Sequence, residues 1–340
     1  MTLRLPGLIP RFLLAVILGV LSGCSGKAGT VSDADQLTAQ RDAWVRAALE
    51  SVEKTLSTNP PGTGDPEKRR QALYLLDDPL HLEQAPRIGE IGAYFRRAVD
   101  RALHEIETER VTAGATVWKL YNHSFVVKTS EAVFAFDIFS GVDEVCMSYE
   151  QIARLAKAVD AMFISHYHKD HADYRVADLL VAEKKKVFVP GDLWADKPIS
   201  GELVRTSWDP EVKVPGLEWI ALKGHQGEDI HNNVHLISSG GVSVMHTGDQ
   251  SNEEDFGAWI DSLGASRHVD ILLPNCWTTD MPRLVRGINP RVVITGHENE
   301  LGHTVDHRES FSKTYGIIEA VDCPCVVMSW GERYRFEPKE

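Results

Sequence analysis

The spacing of apolar residues changes once along the chain, near residue 115. Upstream, apolar positions recur every three to four residues and predict helices over 43–56, 67–76 and 88–108. Thr58-Asn59-Pro60-Pro61-Gly62-Thr63-Gly64 separates the first two with residues that end helices and form loops. Residues 25–40 are polar and small and read as a tether. Several large apolar residues in so short a helical region predict that it packs against the main domain rather than moving as a separate body.

Downstream, segments 116–120, 124–129 and 132–137 are rich in β-branched and aromatic residues and predict consecutive strands. Helical spacing at 150–159 leads into a short buried-strand pattern at 161–165, and helical spacing at 172–182 leads into a strand at 186–190. Further apolar strands are predicted at 217–222, 234–238, 242–246, 269–273 and 292–295. Strands come first in pairs and then alternate with helices, which suits layered α/β packing. Polar residues placed just past strand ends predict a site at one sheet edge.

The first residues obey a different logic. Arg4 and Arg11 precede the apolar run Phe12 to Leu21, which is half the ~20 residues needed to span a bilayer and matches the hydrophobic region of a signal peptide. Leu21-Ser22-Gly23-Cys24 then resembles the bacterial lipobox, in which the cysteine thiol is lipidated and becomes the new N-terminus. The expected organisation is a lipoprotein signal peptide over 1–23, a tether and helical extension over 24–110, and the main domain over 111–340. The resemblance implies export and anchoring to a membrane through Cys24, and several acyl chains hold where one binds only marginally. Ser25 stands where an inner-membrane retention aspartate would be, which points to the periplasmic side of the outer membrane in a Gram-negative host.

Charge narrows the partners. Lysine and arginine number 36 against 49 acidic residues, a formal charge of -13, whereas binding to nucleic-acid phosphates needs a positive surface. No nucleic-acid partner is expected; a local basic pocket for an anionic small molecule stays open. Beyond Cys24, Cys146, Cys276, Cys323 and Cys325 are scattered unlike a disulfide framework, and Cys323-Pro324-Cys325 lacks the spacing of a redox pair. Buried-core roles are expected for all four.

Candidate chemistry concentrates in Ser165-His166-Tyr167-His168-Lys169-Asp170-His171, directly after an apolar strand pattern. Imidazole and carboxylate donors suit zinc or another first-row divalent ion. On a sharp loop His166 and His168 project to one metal while Asp170 and His171 turn to a second. A purely structural zinc is a poor fit, because such sites have four closed ligands, often cysteines, and the cysteines here lie elsewhere.

This segment resembles the HxHxDH motif of the metallo-β-lactamase fold superfamily, and later pieces come in order. Gly248-Asp249 after 242–246 resembles the aspartate that bridges both metals; Gly296-His297 after 292–295 resembles the last histidine ligand; His225 after 217–222 resembles the middle one. His231 and His235 compete with His225, and His303 competes with His297. His235 and His246, inside strand patterns, read as core residues, while His303 and His307 remain candidates to face substrate. The resemblance spans roughly residues 115–310 and implies an α/β, metallo-β-lactamase-like αββα sandwich with a helical N-terminal extension. It implies one metal held by His166, His168 and His225, the other by Asp170, His171 and His297, with Asp249 shared.

The resemblance further implies two divalent ions, zinc first with manganese or iron(II) as alternatives, and a hydroxide held between them that attacks a carbonyl carbon or phosphorus. Asp170 and Asp249 are the candidates for guiding the departing proton. The motif ends His171-Ala172-Asp173, without the Gly-Gly pair of lactamases and glyoxalase-type hydrolases, and is more similar to the branch of ascorbate-phosphate lactonases and phospholipase D-like lipid hydrolases. Hydrolysis of an ester, lactone or phosphodiester in a small-molecule or lipid-like substrate is therefore expected. The alternatives are β-lactamase or thioesterase activity, or a non-catalytic metal-binding envelope protein. No Gly-x-Ser-x-Gly elbow competes with a metal-based mechanism. Trp194, Trp208, Trp277 and Tyr174 are candidate pocket aromatics.

Overall fold

The computed structural model describes residues 32–206 and 213–338. The predicted signal peptide, Cys24, the first part of the predicted tether and Trp208 lie outside the described residues. The chain divides into two units, 1–40 and 41–340. In the first, the tether expected to reach residue 40 is helical from Asp33, where α1 (Asp33–Thr58) begins. The cause is local: the Ser32 hydroxyl accepts the Asp35 N–H at 3.2 Å, and Asp33 and Asp35 place negative charge in the first turn.

In the second unit α1 continues to Thr58 and is succeeded by α2 (Glu67–Leu80) and α3 (Gly89–Thr108). Ile91, Tyr94, Phe95, Ala98, Val99, Ala102, Leu103 and Ile106 recur at helical spacing on α3 and are all buried. The next strands are β1 (Ala115–Tyr121), β2 (Ser124–Lys128), β3 (Val133–Phe136) and the two-residue pair β4 (Gly141–Val142) and β5 (Val145–Cys146). Then come α4 (Tyr149–Ala158), β6 (Ala161–Phe163), α5 (Tyr174–Ala182), β7 (Lys186–Pro190) and β8 (Val204–Thr206). The second half holds β9 (Glu218–Gln226), β10 (Ile230–Ser239), β11 (Val242–His246), α6 (Asp261–Ser266), β12 (Ile271–Leu273), α7 (Met281–Ile288), β13 (Val292–Ile294), α8 (Phe311–Ile318), β14 (Cys325–Val326) and β15 (Glu332–Phe336).

Two sheets stack, one ordered β15-β1-β2-β3-β6-β7-β8 and the other β14-β13-β12-β11-β10-β9. The alternation of side chains along each strand assigns the layers. On β1, Trp118 and Leu120 join the helices of the extension and α4–α5 in one core, while Ala115 and Val117 join Ile237, Val244, Ile271 and Ile294 of the other sheet in a second. On the far side, Met245 and Leu272 meet Phe256, Ile260, Leu284 and Ile288 in a third core. That is the αββα sandwich, with the helical extension packed on the outer face of the first sheet.

Several boundaries differ from expectation. β9 runs on past the predicted 222 through His225 to Gln226, and β10 starts at Ile230 instead of 234, so the two pair as a longer hairpin. Short elements escaped the pattern, among them β8, β14, α7 and α8, and also β15, which completes the first sheet beside β1. Of the four described cysteines only Cys276 is buried; Cys146, Cys323 and Cys325 are half-buried, and all are free thiols. Among the described residues, no helix is long and apolar enough to cross a membrane.

Candidate metal centre

The donors gather where the chain leaves adjacent strand ends in both sheets. Beyond β6, Ser165 N–H donates to Asp137 Oδ1 at 2.7 Å and Ser165 O accepts Asn233 N–H at 2.8 Å, which anchors the next residue, His166. The chain then turns tightly, with His171 and Ala172 N–H both donating to His168 O, and α5 starts under the cap of Asp173. Beyond β11, Gly248 has φ 52°, and a Cβ there would lie 2.3 Å from Asn232 Oδ1 and 2.4 Å from Ser165 Cβ. Only glycine fits. Asn232 Oδ1 also accepts the Asp249 N–H at 3.1 Å, aiming that carboxylate inward. Beyond β13, His297 adopts φ 74° with its N–H held by Asn122 O at 3.0 Å.

Six of the seven residues expected from sequence converge. Donor atoms of His166, His168 and Asp249 lie within 4.8 Å of one another, as do those of Asp170, His171 and His297. Asp249 links the groups: its Oδ2 lies 3.6 Å from His166 Nε2 and 3.3 Å from His171 Nε2, and its Oδ1 lies 3.4 Å from His297 Nε2. Asp170 Oδ2 lies 3.3 and 3.4 Å from His171 and His297 Nε2.

The buried nitrogens His166 Nε2, His171 Nε2 and His297 Nε2, with Asp249 Oδ1, have no hydrogen-bond partner. So many orphaned donors in one place would be costly in an ordinary core. They are the atoms a pair of divalent cations would take, so the donor set fits two ions.

Electrostatics agree. Burial alone would push His297 and His171 down, but Asp249 and Asp170 outweigh it, raising His297 to about 10 and His171 well above its ordinary value. Burial would raise Asp249 and Asp170, yet the histidines hold both far below the usual carboxylate range. His166, by contrast, is lowered to about 3 by burial and by His171. The cavity draws positive charge to its centre, supplied by protons when metal is absent.

His225 stands apart from the converging groups. It pairs with His231 across β9 and β10, and its Nδ1 lies 3.0 Å from the Asp255 carboxylate. Its neighbour Gln226 reaches the centre instead, donating from Nε2 to Asp249 Oδ2 at 3.1 Å. Of the competitors, His235 places Nε2 3.0 Å from Ile164 O inside the sandwich, and His231 meets Asn233 Oδ1. His303 is exposed with its ring 5.7 Å from that of His297, and His307 is exposed beside Asp306. Trp277 sets its ring edge against His297 at 5.6 Å and 87°. Tyr174 and Trp194 pack on each other.

Asp137 is the supporting residue that sequence reasoning missed. Fully buried at φ 45°, it accepts from Ser165 and lies 2.8 Å from His171 Nδ1, which fixes that ring with Nε2 free toward the centre. Its one signal is a carboxylate closing an apolar strand, which the strand pattern absorbs as its last residue. His123, from the turn between β1 and β2, brings a further buried imidazole within 4.8 Å of the donor atoms of His171 and Asp249.

The chain thus has a metallo-β-lactamase-like αββα fold with two groups of donors placed where they could chelate metal. Similar solved structures include Igni18, a novel metallo hydrolase from the hyperthermophilic archaeon Ignicoccus hospitalis. It shows 18% identity over 67% of this chain and 100% of that one, with a TM-score of 0.52. A possible metal-dependent hydrolase from Veillonella parvula shows 14% identity over 66% of this chain and 100% of that one, at 0.51. At these identities the likeness is one of fold. No protein-family model matches the sequence, and no curated protein matches it.

Proposed function

We propose that the protein is a dinuclear metal-dependent hydrolase acting on an ester, lactone or phosphodiester in a small-molecule or lipid-like substrate. The observation that carries this is the convergence of orphaned His166, His171 and His297 nitrogens on the shared carboxylate of Asp249. His166, His168 and Asp249 would hold one ion, and Asp170, His171, His297 and Asp249 the other, with zinc preferred by the donor types. His225 is proposed to complete the first group, supported by the Asp255 carboxylate at its Nδ1, the way a metal-bound imidazole is usually oriented. When bound, the ions would supply activated water near neutral pH and polarise the scissile carbonyl or phosphoryl oxygen.

This chain's own residues do the rest. Asp137 and Ser165 hold His171 in one tautomer, Gln226 and Asn232 aim Asp249, and Asp170 or Asp249 receives the departing proton. The Ala172-Asp173 ending of the first motif supports the lactonase and phospholipase D-like branch, with Asp173 serving as the α5 cap. Export and lipid anchoring at Cys24, on the periplasmic side of the outer membrane in a Gram-negative host, are proposed from the lipobox resemblance alone.

The test is metal analysis and then a screen of zinc-, manganese- and iron(II)-loaded protein against lactones, phosphodiesters, esters, thioesters and β-lactams, with Asp249→Ala alongside. Two bound ions and turnover abolished in Asp249→Ala are expected. Preference for a thioester or β-lactam would overturn the substrate assignment, and two ions with no turnover of any class would leave a metal-binding scaffold.

A further inference from the structure

Beside the metal centre lies a cavity of about 1130 Å³, large for a small-molecule site. It is lined by Trp277 and His303, whose rings lie 5.6 and 5.7 Å from that of His297. From there it runs between the start of α7 and the outer face of α8, over Met281, Pro282, Ile317 and Ala320. Charge on its walls has one dominant sign. Glu253, Asp280 and Glu309 line it, and Lys313 is the sole lysine or arginine among the described lining residues. That ammonium is already paired with Glu309 at 2.5 Å. With Glu309 and Lys313 neutralising each other, a phosphodiester or other anion placed here would meet the carboxylates of Glu253 and Asp280, with no further ammonium or guanidinium among the described lining residues to offset them. An uncharged hydrocarbon or aromatic body meets the apolar strip opposite and loses nothing to that charge.

From this we infer that the substrate is an uncharged carboxylic ester or lactone carrying a bulky apolar acyl group, with its carbonyl at the metal centre and its acyl body on Trp277, Met281, Ile317 and Ala320. The inference rests on the hydrolase reading and narrows it. In the reaction one water adds its oxygen to the acyl carbon and the acyl C–O bond breaks. The alcohol oxygen leaves with one proton, and the new acid releases another as it becomes a carboxylate. No oxidant or reductant is needed. Trp277 divides the two environments: its edge faces the imidazole of His297, and its ring belongs to the wall that the acyl group covers.

The test uses the metal-loaded full chain with p-nitrophenyl esters from acetyl to decanoyl, bis(p-nitrophenyl) phosphate, and Ala320→Glu and Ile317→Glu, which add charge to the apolar wall away from the metal donors. Each buried methylene is expected to raise kcat/KM about two- to fourfold, the diester to be the poorest substrate, and both variants to flatten the chain-length series while keeping metal content. A flat wild-type series, or preference for the diester, overturns the inference while leaving the hydrolase reading intact. Binding of N-butyl acetamide and N-butyl decanamide, measured by calorimetry, reads the cavity without chemistry. Chain-length-dependent amide binding with no ester turnover means that the hydrolase reading has failed and the cavity assignment stands; no chain-length dependence in either measurement means that the cavity assignment has failed.

Discussion

Replacing Asp77 with alanine tests whether the helical extension is part of the metal centre. Asp77 sits near the end of α2, buried, yet its partners lie far along the chain. Its Oδ1 accepts Asn299 Nδ2 at 2.9 Å and Phe311 N–H at 2.8 Å, and its Oδ2 accepts Ser312 N–H at 3.0 Å. Asn299, at φ 55°, is two residues beyond His297, and Phe311 and Ser312 open α8, which forms one wall of the cavity. One carboxylate thus ties the metal-bearing loop and the cavity wall to the extension. Arg308 adds a second tie, donating from Nη1 to Leu80 O and Leu82 O.

Three donors left without an acceptor would lose about 1–3 kcal/mol each, offset by relief of the carboxylate's own desolvation, which raises its pKa. A net loss of about 3–5 kcal/mol is expected for Asp77→Ala, and roughly half of that for Asp77→Asn, which keeps one accepting oxygen. Urea unfolding measures the loss. Hydrogen exchange should show faster amides over 297–312 with α4 and α5 unchanged, and the His297 side of the centre should bind metal more weakly in calorimetric titration. A loss below about 1 kcal/mol, or exchange that rises evenly across the chain, would refute the reasoning.

Asp137→Ala should weaken binding of one metal about 10- to 100-fold, because it removes the acceptor that fixes the His171 tautomer; calorimetric titration checks this, and unchanged affinity for both ions contradicts it. Gly248→Ala should abolish binding of both ions, since the new methyl collides with Asn232 and Ser165 beside Asp249; metal analysis of the purified variant decides. Metal-free protein should be most stable near pH 6.5, the ordinary histidine value. His171 and His297, both raised, stabilise fully below 6.5 and lose that contribution as pH climbs through their folded values, about 10 for His297. His166 and His235, lowered to about 3 and about 4, stabilise above 6.5 and lose their contribution as pH falls toward those values. Added metal must displace the protons on His171 and His297, so the gap in Tm between metal-loaded and chelated protein should widen from pH 6 to pH 9; a narrowing gap would count against it.

What could be read from sequence was what is local. The run His166 to His171 declares itself because four donors fall within one turn-sized segment, and Gly248-Asp249 and Gly296-His297 because each comes directly after an apolar strand. Asp137, Gln226 and Asp77 were illegible for the opposite reason: each acts on a partner more than twenty residues away, and nothing nearby marks it. β14 escaped because two residues carry no period, and β15 because Glu332, Arg333 and Arg335 alternate with aromatic residues at a sheet edge. The start of α1 reads as a tether because polar, small residues near an acidic first turn also make an exposed helix, as residues 33–40 show.

The donors are divided between the two stacked sheets: His166 to His171 come off β6 in one, Asp249 and His297 off β11 and β13 in the other. Neither half of the sandwich can form a complete chelate by itself. Metal therefore rewards only the docked pair, and a chelator should loosen the seam between the halves before it melts either one.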